Sequence, residues 1–428
     1  MNPPCPTRRP GNPDGSRTRS RWWAVGLAGM TGLALTTTVG VATPAAGAGG
    51  RPATSTDDQR EPKGIPVPCD ADALIAAITL ANARGGATLD LAKDCTYLLT
   101  ADINGAGLPA ITTPITLNGN KHTTIERAAA TDQFRILTVN TGGNLTLNKL
   151  KLTGGNTTDA GGAILVDPGG ATTVNHSTIV GNTAVSGGAI TNSGTATVRQ
   201  STISGNIANT GGGIANSGAL SITKSHVDSN TATNVGGGIV NTSSGSMQVT
   251  RSTVNGNRSQ GSGGGLFLAT SGASTLTKTE ISRNTGQDSG GIFTVTGPLT
   301  LRFVTLDGNT ATAGDGGGIR IIGGTTAVVE DSIITNNNAA TASGGGVRNG
   351  GTLLLRRTKV AGNTANQGGG IDNGNVATLF DTKVTKNVAI TDGGGIFNAG
   401  TVELNTATGT LVVGNRPNNC VNVPGCAG

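Results

Sequence analysis

The sequence predicts an all-β fold, a right-handed parallel β-helix whose coils are about 25 residues long, with one N-terminal capping helix. Three observations carry this. An aliphatic residue follows a glycine run at Ile164, Ile190, Ile214, Ile239, Leu266, Ile292, Ile319, Val347, Ile371 and Ile396, at spacings of 24 to 28 residues. A second marker, the asparagine of motifs such as STISGN, advances with it through Asn182, Asn206, Asn230, Asn257, Asn284, Asn309, Asn337, Asn363, Asn387 and Asn415. Aromatic residues are 2% and charged residues 13% of the chain, too few to fill or coat ordinary globular domains of this length. Two markers in step define a supersecondary repeat, and their fixed period separates the chain from disordered sequences of similar composition.

Five arginines, Arg8, Arg9, Arg17, Arg19 and Arg21, precede an apolar run from Trp22 to Val41, and small residues follow up to Ala48. That layout predicts a signal peptide over 1–48 and a secreted, extracellular product, with cell-wall association compatible with it. A transmembrane anchor is the competing reading of the run; its Gly and Thr content and the Ala-Gly-Ala ending favour cleavage. Residues 1–48 carry a net +4 of the chain's +6, because Asp14 is their single acid, so the remainder is only +2. A nucleic-acid partner therefore has no global electrostatic support. Residues 49–66, rich in Arg, Asp, Pro and Thr, read as a flexible linker.

A single β-helix domain is expected over 67–428, divided into a cap and first coils (67–155), regular repeats (156–415) and a C-terminal disulfide cap (416–428). Asp70 to Arg84 reads as a helix, with Asp70 as N-cap, Gly85 as terminator, and Leu74, Ile75, Ile78 and Ala81 on one face. Covering the solenoid's end with it blocks edge-to-edge stacking. Four cysteines beyond the signal allow three pairings; Cys69–Cys95 and Cys420–Cys426 are the local ones, each closing one end.

Within a coil such as 219–243, an alternating strand with Leu220, Ile222 and Val227 inward leads to a turn at Asn230. A Thr/Ala loop, the glycines, and a short strand with Ile239 inward follow. Asn241 lies two residues beyond, and a Gly-Ser turn closes the coil. Stacking in register places each residue type on its own kind, so aliphatic and asparagine ladders are expected, with asparagine adopting left-handed backbone at the turn.

The GGA[IL]/GGGI words with S-x-I-x-x-N resemble the repeat of chlamydial polymorphic outer-membrane proteins and of secreted β-helix proteins of the pectate-lyase-like superfamily. The segment from CDADALIAAITLAN through LTLNKLKLTGG resembles the N-terminal module of actinobacterial members of that group. The resemblance implies the fold and an extracellular setting. The phenylalanine of the chlamydial FxxN motif is mostly Ile or Val here.

Aligning coils isolates the residues that break the repeat. Asp288 and Asp315 lie four residues before their markers; Phe267, Phe293, Arg320, Arg348 and Asp372 lie one residue after theirs, on five successive rungs. Lys224, Arg251 and Lys278 stack six residues before the Asn marker, with Glu280 as a nearby counter-charge. Asp288, Asp315, Arg320 and Arg348 are the candidate catalytic groups. Lys224, Arg251, Lys278, Phe267 and Phe293 are the candidate ligand-binding groups. The scattered His122, His176 and His226 do not suit a metal site, and no glycine run ends in G-K-[ST] as a phosphate loop requires.

The expected function is a monomeric secreted surface or matrix interaction protein, adhesin-like or carbohydrate-binding, whose partner is a polysaccharide or cell-surface glycan, with no cofactor. One alternative is a polysaccharide lyase or glycoside hydrolase acting on acidic glycans, the only setting in which Ca2+ enters. Another is a structural cell-envelope protein.

Overall fold

A computed structural model of the chain describes residues 64–427. The signal segment expected over 1–48, Cys5 and most of the linker lie outside the described residues. The linker expected to reach residue 66 stops short of it, because Ile65–Val67 is a strand that pairs in parallel with Ala87–Leu91.

Between these two strands runs the helix, Ala71–Ala83. Asp70 caps it by accepting from the backbone N–H groups of Asp72 and Ala73 at 2.7 and 3.1 Å. Gly85 turns the chain away with φ of 83°. Leu74, Ile78 and Ala81 bury their side chains against the first coils, closing the apolar core at this end, while Ile75 is half-buried. Cys69–Cys95 ties the strand and helix to the coil beneath; Cys420–Cys426 closes a loop at the other end.

Every strand in the four main sheets pairs in parallel with the equivalent strand one coil away. The sheets have 14, 13, 9 and 12 strands and run side by side along one solenoid. The coil 195–218 shows the plan. Thr195–Arg199 lies on the first face, Thr202–Ser204 on the second, Ile207–Thr210 on the third and Ile214–Asn216 on the fourth. Ala196, Val198, Ile203, Ala208 and Ile214 point inward and are buried. The third face replaces the loop expected from the Thr/Ala segments. These segments alternate, and their inward alanines (Ala184, Ala208, Ala232, Ala311, Ala339, Ala365, Ala389) are small enough to bring the sheet close to its neighbours.

Of the four corners that join the faces, three have a chemistry of their own, and the fourth, such as Ser217-Gly218, returns the chain to the first face. Between the first and second faces one residue adopts left-handed backbone on ten successive rungs: Lys149, His176, Gln200, Lys224, Arg251, Lys278, Phe303, Asp331, Arg357 and Asp381, with φ from 43° to 55°. The next residue is a buried Ser or Thr on most rungs. Ser201 Oγ accepts from Ser177 N–H at 3.0 Å, Ser225 Oγ from Ser201 N–H at 3.1 Å and Ser252 Oγ from Ser225 N–H at 3.1 Å.

The second corner carries the asparagine ladder. Its backbone corrects the expectation, because the left-handed residue precedes the asparagine (Gly181, Gly205, Ser229, Gly256, Arg283). This leaves the asparagine side chain directed inward, where it is fully buried. Asn257 Oδ1 accepts from the backbone N–H and the Nδ2 of Asn230 at 2.9 and 3.0 Å, and Asn257 Nδ2 donates to Val227 O at 2.8 Å and Asn284 Oδ1 at 3.0 Å.

At the third corner the glycines meet a double demand. Gly211 has φ of 66°. A Cβ on Gly212 would collide with the Gly237 carbonyl of the next rung, and one on Gly213 would lie 2.7 Å from Gly238 O and 3.1 Å from the Asn230 amide.

Asn257→Ala removes the side-chain partner of the Asn230 N–H and of the Val227 carbonyl in a dry interior, and leaves the Asn284 amide oxygen with only the backbone N–H of residue 257. Each buried group left unpaired costs about 1–3 kcal/mol. Urea unfolding should show a loss of about 3 kcal/mol or more for Asn257→Ala, against less than about 0.5 kcal/mol for the exposed Thr326→Ala. Equal losses would contradict a ladder that holds the rungs in register.

Candidate functional site

The sequence-selected residues fall into two groups on opposite sides of the coil. The first lies where the third face meets the fourth. Strand register sets Phe267, Phe293, Arg320, Arg348, Asp372 and Phe397 in one column on the fourth face. Asp288 and Asp315 reach this column from the end of the third face. Arg320 pairs with Asp288 at 2.7 Å and with Asp315 at 3.5 Å. Arg348 pairs with Asp315 at 3.8 Å and donates to the Asp372 carboxylate. The result is an alternating chain of five charges, Asp288–Arg320–Asp315–Arg348–Asp372, linking successive rungs. Asp315 also accepts from Ser343 N–H at 3.0 Å.

The aromatic residues continue this chain toward the N-terminus. Phe267 and Phe293 stack with ring centroids 5.4 Å apart and planes 8° from parallel, and the Arg320 guanidinium covers the Phe293 ring at 5.3 Å. Phe293 therefore has both ring faces occupied, by Phe267 and Arg320, and presents only an edge outward. A sugar that stacks on an aromatic ring needs a free face. The same rungs lose the inner asparagine of the fourth face. Asn192 donates to Asn216 and Asn216 to Asn241, each at 2.7 Å, but Leu268, Thr294 and Ile321 occupy the next three positions before Asn349 resumes the ladder. The outward stack of rings and ion pairs spans the interval where the inward amide ladder is broken.

Chemically, this cluster is closed. Both candidate catalytic aspartates are engaged by guanidiniums, and neither histidine nor lysine stands among them to take or give a proton. Tyr97, the only tyrosine, is buried in the first coils, where burial raises its pKa. No three His, Cys, Asp or Glu side chains gather as a metal site among the described residues. Asp372 is the exceptional member. Burial pushes its carboxyl above the usual aspartate value, an effect opposed by Arg348.

The second group is the corner between the first and second faces. Lys224, Arg251 and Lys278 occupy the left-handed position there, as do Lys149 and His176 on earlier rungs. Gln200 interrupts the run, but Arg199 beside it is also exposed. At ~4.8 Å per rung, the ridge from Lys149 to Lys278 is about 24 Å long. None of these side chains makes a hydrogen bond or ion pair among the described residues; Lys278 Nζ lies 5.9 Å from the Phe303 ring centroid. Glu280, expected as counter-charge, accepts instead from Ser282 Oγ at 2.7 Å. Beyond Phe303 the ridge changes character: Arg357 forms a two-pronged pair with Asp331 at 2.6 and 2.8 Å, which holds the Asp331 carboxyl below its usual pKa. Sequence spacing found three of these cations. His176 sits at the same offset from its own Asn marker, a signal that was present in the sequence but unused.

No family model matches the chain, and no curated protein matches it. Solved structures similar to it include the A-modules of two Azotobacter vinelandii mannuronan C-5 epimerases, AlgE4 and AlgE6, both at 13% identity. The AlgE4 match covers 78% of this chain and 90% of that one with a TM-score of 0.37; the AlgE6 match covers 82% and 88% with a TM-score of 0.34. The fold described above rests on strand register, independently of these likenesses.

Asp372 generates a pH prediction. Its native pKa is raised, so just above the reference value of 3.8 the folded chain binds a proton that the unfolded chain does not. In that window its titration stabilises the fold as pH falls, and this contribution is lost as pH rises through the native value. Thermal unfolding of Asp372→Asn followed across the window should lack this component. An identical pH slope in both proteins would refute it.

Proposed function

We propose that the chain is a secreted β-helix that binds an acidic polysaccharide or cell-surface glycan through the basic ridge, without acting on it chemically. The observation that carries this reading is that Lys149, His176, Lys224, Arg251 and Lys278 have no side-chain hydrogen bond or ion pair among the described residues, in contrast with the charges of the Asp288–Asp372 chain, all of which are engaged. Stacked like charges repel, and an internal acid would be the ordinary remedy. A polyanion lying along the solenoid supplies that remedy from outside.

Backbone geometry supports the same reading. A non-glycine residue in left-handed backbone costs about 1 kcal/mol, and glycine would satisfy the corner without strain. The chain uses glycine at the second corner in Gly181, Gly205, Gly256, Gly308 and Gly362. At the first corner it carries long side chains instead, which project from the turn into solvent. Two disulfides fit an oxidising, extracellular setting.

Retention on an immobilised acidic polysaccharide tests the reading. Binding should weaken steeply with salt. Replacing Lys224, Arg251 and Lys278 together by Ala should lower the slope of log affinity against log salt by about 2–3 units, since each neutralised charge contributes nearly one counterion. An unchanged slope would sink the ridge as the binding surface. Release of shortened or unsaturated products, abolished in Asp315→Asn, would replace the binder with the enzyme.

A further inference from the structure

The first face, next to the ridge, carries a depression of about 260 Å³. Its outward column is Thr197, Ser221, Gln248 and Thr275, in register on four successive rungs. No side-chain hydrogen bond engages any of these four among the described residues, as is also true of Thr116, Thr146, Thr173 and Thr300 in the same column; the bonded Ser and Thr hydroxyls include those at the corner between the first and second faces. Ala219 and Ala273 on the adjacent column are small, and this makes the hollow. Leu220 and Met247 beneath it point into the core and are almost fully buried, so the apolar surface it offers outward is the methyl groups of Ala219 and Ala273. The lining is thus a patch of alanine methyls beside a row of hydroxyls and one amide that have no side-chain hydrogen bond among the described residues.

That combination matches a pyranose ring, whose C–H face is apolar and whose perimeter is hydroxylated. The volume falls just under the roughly 300 Å³ where drug-sized pockets begin, which suits one ring. Ser221, Gln248 and Thr275 each precede a ridge cation (Lys224, Arg251, Lys278) by three residues, or about 10 Å of extended strand. Hollow and ridge are therefore parallel strips on the same three rungs.

We infer that the hollow is a sugar subsite continuous with the ridge, so that the surface selects acidic glycans over polyanions that contain no sugar. This rests on the ridge reading and adds selectivity to it: the cations hold the acidic groups, and the hollow seats an adjoining ring. The ring's hydroxyls exchange bonds with the free side chains of Thr197, Ser221, Gln248 and Thr275. Its apolar face covers the methyl groups of Ala219 and Ala273.

The test compares hyaluronate oligomers and polygalacturonate with poly-L-glutamate of matched charge number, by titration calorimetry at one salt concentration. The wild-type protein is expected to prefer the glycans by about tenfold or more, equivalent to roughly 1.4 kcal/mol. Ala219→Trp, an exposed position, fills the hollow and should abolish that preference while leaving poly-L-glutamate affinity unchanged. Gln248→Ala should reduce the preference without adding bulk. Equal wild-type affinity for glycans and poly-L-glutamate would overturn the subsite and leave the ridge standing. A preference that survives both substitutions would also overturn it. Failure of all three polymers to bind would overturn the ridge and the subsite together.

Discussion

Every coil is held by the requirement that its backbone lie in register on the one before it, and the buried asparagines from Asn182 to Asn415 enforce that requirement. Each amide bridges two rungs and also satisfies a backbone carbonyl that faces the dry interior. A slip of one residue would break both bonds at every rung and turn the aliphatic columns outward. The glycines follow from the same constraint. The third corner turns tightly enough that a Cβ on Gly212 would collide with the Gly237 carbonyl of the next rung, so the stacking that fixes the register also requires glycine there.

This explains how much of the molecule was legible in the sequence. Period and parallel pairing were readable because one repeating constraint writes the same residue at the same offset in every coil; the capping helix was readable from Asp70 and its apolar face, and the cysteine pairs from their local spacing. The third face was missed because its inward residues are alanines, which carry little hydrophobic signal in short segments. The left-handed residue was misplaced by one position: asparagine tolerates that backbone, but here its amide is needed inside, and its neighbour takes the strain. The hollow on the first face was invisible, since threonine and serine alternating with aliphatics describe any solvated strand.

The candidate site shows a different limit. Sequence alignment of the rungs correctly brought Phe267, Phe293, Arg320, Arg348 and Asp372 into one column, with Asp288 and Asp315 beside it. It could not show whether those groups face a ligand or one another. They face one another. Paired ions at partly exposed positions contribute modestly, about 1 kcal/mol or less each. Their value lies in position, since they bridge the rungs at which Leu268, Thr294 and Ile321 leave the inner amide ladder open. Departure from a repeat therefore has two meanings. It marks function when the new side chain is left without a partner, and repair when it compensates for a second departure nearby.

That distinction decides between the two sides of the coil. In a solenoid, a polar side chain on an inner coil has the side chain at the equivalent position of the next coil about 4.8 Å away on each side, so a partner within the stack is close at hand. Asparagine, serine and threonine at the corners take it, and so do the five charges beside the stacked phenylalanines. The ridge and the adjoining hollow do not, although their residues are as close to their neighbours as any others. Lysine and arginine cannot satisfy one another, because they are donors of like charge. The column Thr197–Ser221–Gln248–Thr275 could bond along the stack, and yet its groups remain free. Surface whose groups have no side-chain partner among the described residues is open to an external one, and the charge of the adjoining ridge is the reason an anion is proposed there.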